Sequence, residues 1–532
     1  MSQRRRRPMV NRISKSIKTI LFLACILSSQ VLAAGFLHAD GKRIVDGDGN
    51  SFLIRAMGIG AWMVMEPYMF NLNQDVNKGQ HSILNRYKEI IGEERTKEFH
   101  KAWLDNFFRE VDVAQCKESG FNAIRVVLHY NLFTLPIKGN PVAGQQEPDS
   151  GKDTWLPEGF ARLDSLIAWC ERYEIYAILD LHAAPGGQGY DGNISDYDPA
   201  NKSLWESPEN KRKMVALFGE FAKRYADQPW MGGYDLLNET NWSFDQAGGN
   251  GCSDNSNRPL RDLFGQLTTE IRKYDKNHII FLEGNCWAKN FNGLWPLAVA
   301  DNNVVLSFHK YWDKNDPASI STFTKLRDDL NVPLWMGESG ENTNEWYAAA
   351  VRLLEANNIG WSWWTWKKGN DNKGSYTIKY PDGFQAIIDY TNGKAKPDAE
   401  KSYTALMNFA EATKLEKCTR NNASIDSIIL GHKTAIKFKT PTSNFAADIQ
   451  VIKNGARINI EYTLQNSAKV DLSVFGVNGK VILNKALESQ SGKNSFTFDL
   501  SGRSYGVFVV KAQCDQFTYT RNIVLGGHGG GN

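Results

Sequence analysis

Between Phe52 and about residue 412 the chain repeats one pattern: a short apolar run, then a longer amphipathic stretch, eight times over. The runs are Phe52 to Gly58, Asn122 to Leu128, Ile175 to Leu181, Gly233 to Leu237, Ile279 to Glu283, Val304 to Phe308, Pro333 to Gly337 and Gly360 to Trp364. Runs of this length, apolar on both faces, suit parallel strands covered on both sides. The stretches between them read as helices, among them Lys97 to Ser119, Phe160 to Tyr173, Asn210 to Tyr225, Arg261 to Tyr274 and Trp346 to Ala356. Eight strand–helix units predict an α/β fold, a (β/α)8 TIM barrel over residues 40–412.

A barrel of this kind gathers its reacting groups at the C-terminal ends of its strands, and the sequence places polar residues there. Arg125 lies in the second run and His182 directly follows the third. Asn238 and Glu239 follow the fourth, His309 and Tyr311 the sixth, Glu338 ends the seventh and Trp364 the eighth. Loop residues are polar in most proteins, but agreement at six strand ends is a pattern. Two carboxylates flanking a sugar bond are the minimum equipment for glycoside cleavage, one as acid and one as nucleophile. Glu239 and Glu338 are the candidates, and they require opposed environments: a neighbour that keeps a proton on one and a cation beside the other. Arg125 is the candidate cation. His309 and Tyr311 are placed to hydrogen-bond the glutamates, and Asn238 to hold a sugar 2-hydroxyl. All 16 Trp lie between Trp62 and Trp366, and Trp205, Trp242, Trp287, Trp295, Trp312 and Trp364 are candidates for stacking on sugar rings.

Other chemistries find little support. Gly58-Ile59-Gly60 lacks the third glycine and acidic partner of a dinucleotide loop. Gly337-Glu338-Ser339-Gly340 is not a nucleophile elbow. No His-x-His pair stands at the first strand to complete a metal site with His182 and His309, so neither a metal nor another cofactor is expected.

The first 33 residues carry Arg4 to Arg7, Arg12, Lys15 and Lys18 ahead of an apolar run from Ile20 to Leu27. They read as a secretory signal cleaved after Ala33, too short for a comfortable membrane span; Cys25 sits in a poor lipidation context. Loss of those seven basic residues moves the net charge from +3 to −4, which removes a nucleic-acid-binding reading. Six cysteines remain, too few for a disulfide scaffold, and Cys252 with Cys286 is the expected bridge.

Residues 413–425 read as a linker. Beyond it period-two alternation takes over in Arg457 to Tyr462, Lys469 to Phe475, Ser495 to Asp499 and Gly506 to Val510, with Asn478-Gly479 as a turn. A small all-β sandwich over 426–525 is expected, then a disordered glycine-rich tail, 526–532.

At these residues the chain resembles glycoside hydrolase family 5, the cellulase family. The likeness rests on Leu53 to Trp62, Phe121-Asn122-Ala123-Ile124-Arg125-Val126, Ile178-Leu179-Asp180-Leu181-His182, Leu237-Asn238-Glu239, His309-Lys310-Tyr311, Met336-Gly337-Glu338 and Trp363 to Lys367, all in order. The resemblance implies a retaining enzyme with Glu239 as acid/base and Glu338 as nucleophile. Arg125, His182, Asn238, His309, Tyr311 and Trp364 would form the surrounding shell. Thr240 departs from the proline usual there. Trp62 to Tyr68 and His182 to Gln188 are similar to the β-1,3-glucanase branch, where a glutamate at the position of Glu66 helps bind a terminal glucose. The expectation is a secreted or cell-surface bacterial enzyme acting on a β-linked polysaccharide, with endo-β-1,4-glucan cleavage as the leading reading. Exo-β-1,3-glucan or mannan cleavage is the alternative, and a non-catalytic glycan binder the remote one. The C-terminal part resembles sorting or anchoring tails of secreted polysaccharide-degrading enzymes, through Leu472 to Val481 and Tyr505 to Val510. Secretion or cell-surface machinery is the partner this implies. Residues 419–532 contain no Trp for a carbohydrate-binding platform.

Overall fold

The computed structural model describes residues 35–139, 145–430, 450–454, 457–464, 466–476, 481–500, 506–514 and 517–525. The signal segment 1–33, the Asn478-Gly479 turn and the tail 526–532 lie outside those residues. The chain divides into two units, one up to Ile429 and one from Leu430.

In the first unit eight parallel strands close into a barrel: β1 (Arg55–Gly58), β2 (Ala123–His129), β3 (Tyr176–Ala183), β4 (Met231–Asp235), β5 (Ile279–Glu283), β6 (Val304–His309), β7 (Leu334–Gly340) and β8 (Gly360–Trp364). Neighbouring strands pair in chain order, and β8 returns to β1 with Trp361 opposite Arg55. Almost every strand residue is buried, because barrel strands have side chains on the inside and helices on the outside. Leu37 and Ile44 of the hairpin His38–Asp40/Arg43–Val45 pack with Ala56, Ile178, Phe281 and Trp335 in a cluster of their own.

The segment Lys97 to Ser119 is two helices rather than one, Glu93–Phe107 and Glu110–Ser119. Phe108 is extended, and the Asp112 carboxylate accepts the Arg109 backbone N–H at 2.9 Å, starting a new helix. The expected linker is also overturned. Thr419–Arg420 pairs with Tyr376–Thr377, and Asn421 Nδ2 donates to the Gly374 carbonyl at 2.8 Å. Helix Asn422–Leu430 then buries Ile425 and Ile428, three residues apart on one face, in the barrel unit's core. The run Thr419 to Asn422 has a linker's polar composition, but the Arg420 and Asn421 side chains bond back to the barrel unit, at Ser119 Oγ and the Gly374 carbonyl.

The second unit is an antiparallel sandwich. One sheet joins Gln450–Asn454, Arg457–Leu464 and Gly492–Asp499; the other has the order Val481–Ser489, Ala468–Gly476, Gly506–Cys514, Phe517–Leu525. Ile458, Ile460, Tyr462 and Leu464 alternate inward toward Val470, Leu472, Val474 and Val510.

Candidate active site

Strand periodicity builds the site. Alternate residues of a strand share a face, so Asp180 and His182 of β3 both point inward near its end, as do Arg125, Asp235 and Glu283 from their own strands. The register between β6 and β7 shifts between Phe308 and His309, an irregularity of the kind that re-aims a side chain.

Arg125, wholly buried, is the hub. Its Nε donates to Asp235 Oδ2 at 2.9 Å, Nη1 to Glu338 Oε2 at 2.7 Å, and Nη2 to Asn238 Oδ1 at 2.9 Å and Glu283 Oε1 at 3.0 Å. Asp180 lies 3.3 Å from the same Nη2. One guanidinium therefore faces four carboxylates, and burial drives the Asp235 carboxyl well above its usual range, reinforced by Glu283.

Glu239 and Glu338 meet in this frame, with an oxygen of each within 4.8 Å of the other. Their surroundings differ in the required sense. Burial raises the Glu239 carboxyl; the His309 hydrogen bond, Nδ1 to Oε1 at 2.7 Å, opposes this without cancelling it. Burial acts on Glu338 too, but there the charges of His309, Arg125 and His182 and the Tyr311 hydroxyl, donating to Oε1 at 2.7 Å, win and hold the carboxyl below its usual range. Glu239 has φ +40°, and its backbone N–H donates to Glu283 Oε2 at 2.7 Å. A left-handed non-glycine residue costs about 1–2 kcal/mol, so this bond helps fix the carboxyl's aim.

The second row is a relay from β3 to the loop after β1. His182 Nδ1 lies 2.8 Å from Asp180 and Nε2 3.0 Å from Glu66 Oε1. Burial opposes charge on His182, yet the two carboxylates raise it to about 10, while burial pushes Glu66 up to about 7. Trp364 stacks on His182 with ring centroids 5.5 Å apart, and its Nε1 donates to the Tyr68 hydroxyl. Gly60 makes room for it: a Cβ there would lie 2.4 Å from the indole.

Glu66, His182, Glu239, His309, Tyr311 and Glu338 all line one cavity of about 560 Å³. Arg125 and Asn238 are buried beside the glutamates that form its wall. Of the loop tryptophans, Trp287 and Trp312 line the cavity. Trp242, named from sequence, is not among its lining residues; it is buried and stacks on Tyr190 at 4.0 Å. Trp205 packs edge-on against Phe244, and Trp295 against the core. Tyr68, Asp180, Asp235, Glu283, Lys289 and Glu341 were missed. Glu283 ends β5, so the strand-end rule that singled out Glu239 would have found it.

Between the loops after β4 and β5 the expected disulfide is present, Cys252 to Cys286, with Cα atoms 4.6 Å apart. Cys286, Trp287 and Ala288 are all left-handed, at φ 56°, 52° and 61°.

Residues 85–370 match the model of the cellulase family, glycosyl hydrolase family 5. The chain belongs to this family. Residues 454–526 match the secretion system C-terminal sorting domain, which marks this family 5 member as a secreted or cell-surface bacterial protein. Among the described residues no helix is long and apolar enough to cross a membrane. The family 5 chain is 31% identical to a beta-xylosidase of Phanerodontia chrysosporium over 276 residues, 52% of each chain, so it spans about half the length of that relative. It is 24% identical to endoglucanase C of Acetivibrio thermocellus, over 51% of this chain and 87% of that one. It is 25% identical to the probable glucan 1,3-beta-glucosidase A of Emericella nidulans, over 48% and 57%.

Proposed function

We propose that the protein hydrolyses β-glucan with retention of configuration, Glu239 acting as acid/base and Glu338 as nucleophile. The observation that carries the reading is the approach of the two carboxyl groups to within 4.8 Å. One oxygen of each lies within that bound, an approach that fits the roughly 5–5.5 Å of double displacement better than the roughly 6.5–9.5 Å of inversion. Glu239, raised by burial, keeps a proton for the leaving oxygen. Glu338, ionised beside Arg125, attacks the anomeric carbon. The glycosyl–enzyme ester then forms as the leaving group departs with Glu239's proton. Glu239, now the base, takes a proton from water, which attacks the anomeric carbon and frees Glu338. Asn238, its Oδ1 held by Arg125, offers Nδ2 to the sugar 2-hydroxyl.

Relatives named as endoglucanase and as glucan 1,3-beta-glucosidase both support a glucan substrate. One observation favours an exo-acting pocket over the open endo-β-1,4 cleft. Glu66 is buried in the cavity wall against His182, where its carboxyl can hold the hydroxyls of a terminal sugar. The test is product analysis on laminarin, cello-oligosaccharides and glucomannan, with Glu338→Ala as control. Glucose alone from laminarin supports the exo reading, and a ladder of cello-oligosaccharides the endo one. Full activity in Glu338→Ala would overturn the assignment of the nucleophile. The sorting domain is the element expected to engage secretion machinery.

A further inference from the structure

Trp287 enters the cavity wall from a backbone that its own sequence does not favour. Three consecutive non-glycine residues, Cys286, Trp287 and Ala288, lie in the left-handed region, which side chains with a Cβ visit reluctantly and seldom in succession. Such a conformation persists only where its surroundings over-determine it. Here the Trp287 N–H donates to the Thr240 carbonyl at 3.1 Å, and Asn285 Oδ1 accepts the Cys286 N–H at 2.8 Å while its Nδ2 donates to the Trp242 carbonyl at 2.7 Å. The covalent member of the set is the bond from Cys286 to Cys252, which ties this turn to the loop that follows Glu239.

Trp287's position gives the turn a use. Trp242 is covered by Tyr190 and Trp205 by Phe244, whereas Trp287 is half-buried in the cavity wall next to Lys289. Its backbone N–H bonds to the Thr240 carbonyl, one residue after Glu239, so the turn that carries the indole is tied beside the residue that would protonate the leaving oxygen.

We propose that the Cys252–Cys286 disulfide is a positioning element for the reaction. It holds the Trp287 indole against the sugar on the leaving side of the scissile bond, so that binding of longer glycans depends on the oxidised state. This rests on the hydrolytic reading above. Cys252 is exposed, which opens its sulfur to an external thiol. With dithiothreitol the bond takes up two electrons and two protons to give two thiols, and the reagent closes to its cyclic disulfide. Cys116, Cys170 and Cys418 already carry thiols, so among the described residues of the barrel unit the disulfide that the reagent meets is Cys252–Cys286.

The experiment compares the oxidised full chain, the dithiothreitol-reduced chain and Cys252→Ser on two substrates. One is a neutral β-glucan oligosaccharide; the other is β-glucosyl fluoride, a single sugar whose fluoride leaving group is too small to reach an indole on the leaving side. Thiol counting verifies each state, and hydrogen exchange is followed in peptides covering 284–290. An aromatic contact of about 0.5–1.5 kcal/mol sets the expectation: reduction and Cys252→Ser each raise KM for the oligosaccharide about two- to tenfold. Turnover of glucosyl fluoride, which makes no contact on the leaving side, changes by less than about twofold on the same scale. Exchange over 284–290 quickens while β5 stays protected. Trp287→Ala carries the KM increase from the start, and reduction adds nothing to it. An unchanged KM after verified reduction would overturn the proposal, as would a reduction effect that survives in Trp287→Ala. An oxidised chain inactive on every β-glucan would sink the hydrolytic reading instead, and the exchange rates would still decide whether the disulfide holds Trp287.

Discussion

Tyr311→Phe removes one oxygen and little else. That hydroxyl donates to Glu338 Oε1 at 2.7 Å, deep in the site. A hydrogen bond to a charged group contributes about 1.5–3 kcal/mol, and about 1.4 kcal/mol is a factor of ten. The ionised form of Glu338 should therefore lose about 10- to 100-fold of its advantage over the protonated form. The sign follows from the geometry. The hydroxyl favours the carboxylate, so its loss raises the carboxyl's pKa, the proton stays on to higher pH, and the acid limb of kcat/KM moves up. The assay is a pH profile of kcat/KM on an aryl β-glucoside, which reports the free enzyme's essential groups. On the acid side the variant should fall at least about tenfold below the parent, and the gap should narrow as pH rises. An acid limb that stays in place would refute the claim that Tyr311 helps hold Glu338 ionised.

Gly60→Ala should displace the Trp364 indole, which a Cβ would approach at 2.4 Å. Glucan turnover should drop at least about tenfold, a loss of the size expected when a site element shifts by an ångström, and a parent-like rate would show that the indole can move freely. Glu66→Gln should raise KM for laminarin severalfold if the cavity is an exo pocket, and this is read directly from initial rates. Asp196→Asn should destabilise the barrel unit by about 1–3 kcal/mol, measured by denaturant unfolding. The buried Asp196 carboxylate receives His81 Nδ1 at 2.7 Å and His129 Nε2 at 2.9 Å, and their hydrogen bonds hold it at about 2 against the effect of burial. Its contribution is present above the unfolded carboxyl's pKa and lost as pH falls from there through the folded value of about 2.

The barrel was legible because parallel strands with both faces covered leave apolar runs that mark themselves, and Ile279–Glu283 and Gly360–Trp364 match residue for residue. That Glu239 and Glu338 face one cavity was legible because both stand at strand ends, which a barrel gathers at one mouth. The rest depended on contacts between distant segments. Asp180 and Asp235 look like ordinary strand residues until Arg125, a long side chain from another strand, joins them. Tyr68 acquires its place from Trp364, 296 residues away. The tryptophans show the opposite problem. Residue type nominated Trp242 and Trp287 equally, and only the neighbours, Tyr190 over one and the cavity beside the other, separate them. Gly58-Ile59-Gly60 resembled half of a nucleotide loop, but a Cβ on either glycine would come within 3.2 Å of the Trp364 ring.

The carboxyl groups of the cavity wall bear on which glycans it would admit. Glu66, Asp191, Glu239, Glu338 and Glu341 face the space that a substrate would fill, with Lys289 the single lysine and no arginine among its lining residues. Field lines in such a concave, poorly screened space are focused rather than dispersed. A uronic acid or a carboxymethylated sugar would enter beside Asp191, Glu338 and Glu341, while a neutral glucose unit meets donors and acceptors alike, Lys289 and Gln74 among the donors. A wall with this many carboxyl groups would favour an uncharged glycan over its carboxymethylated form, a difference that initial rates on the two would show.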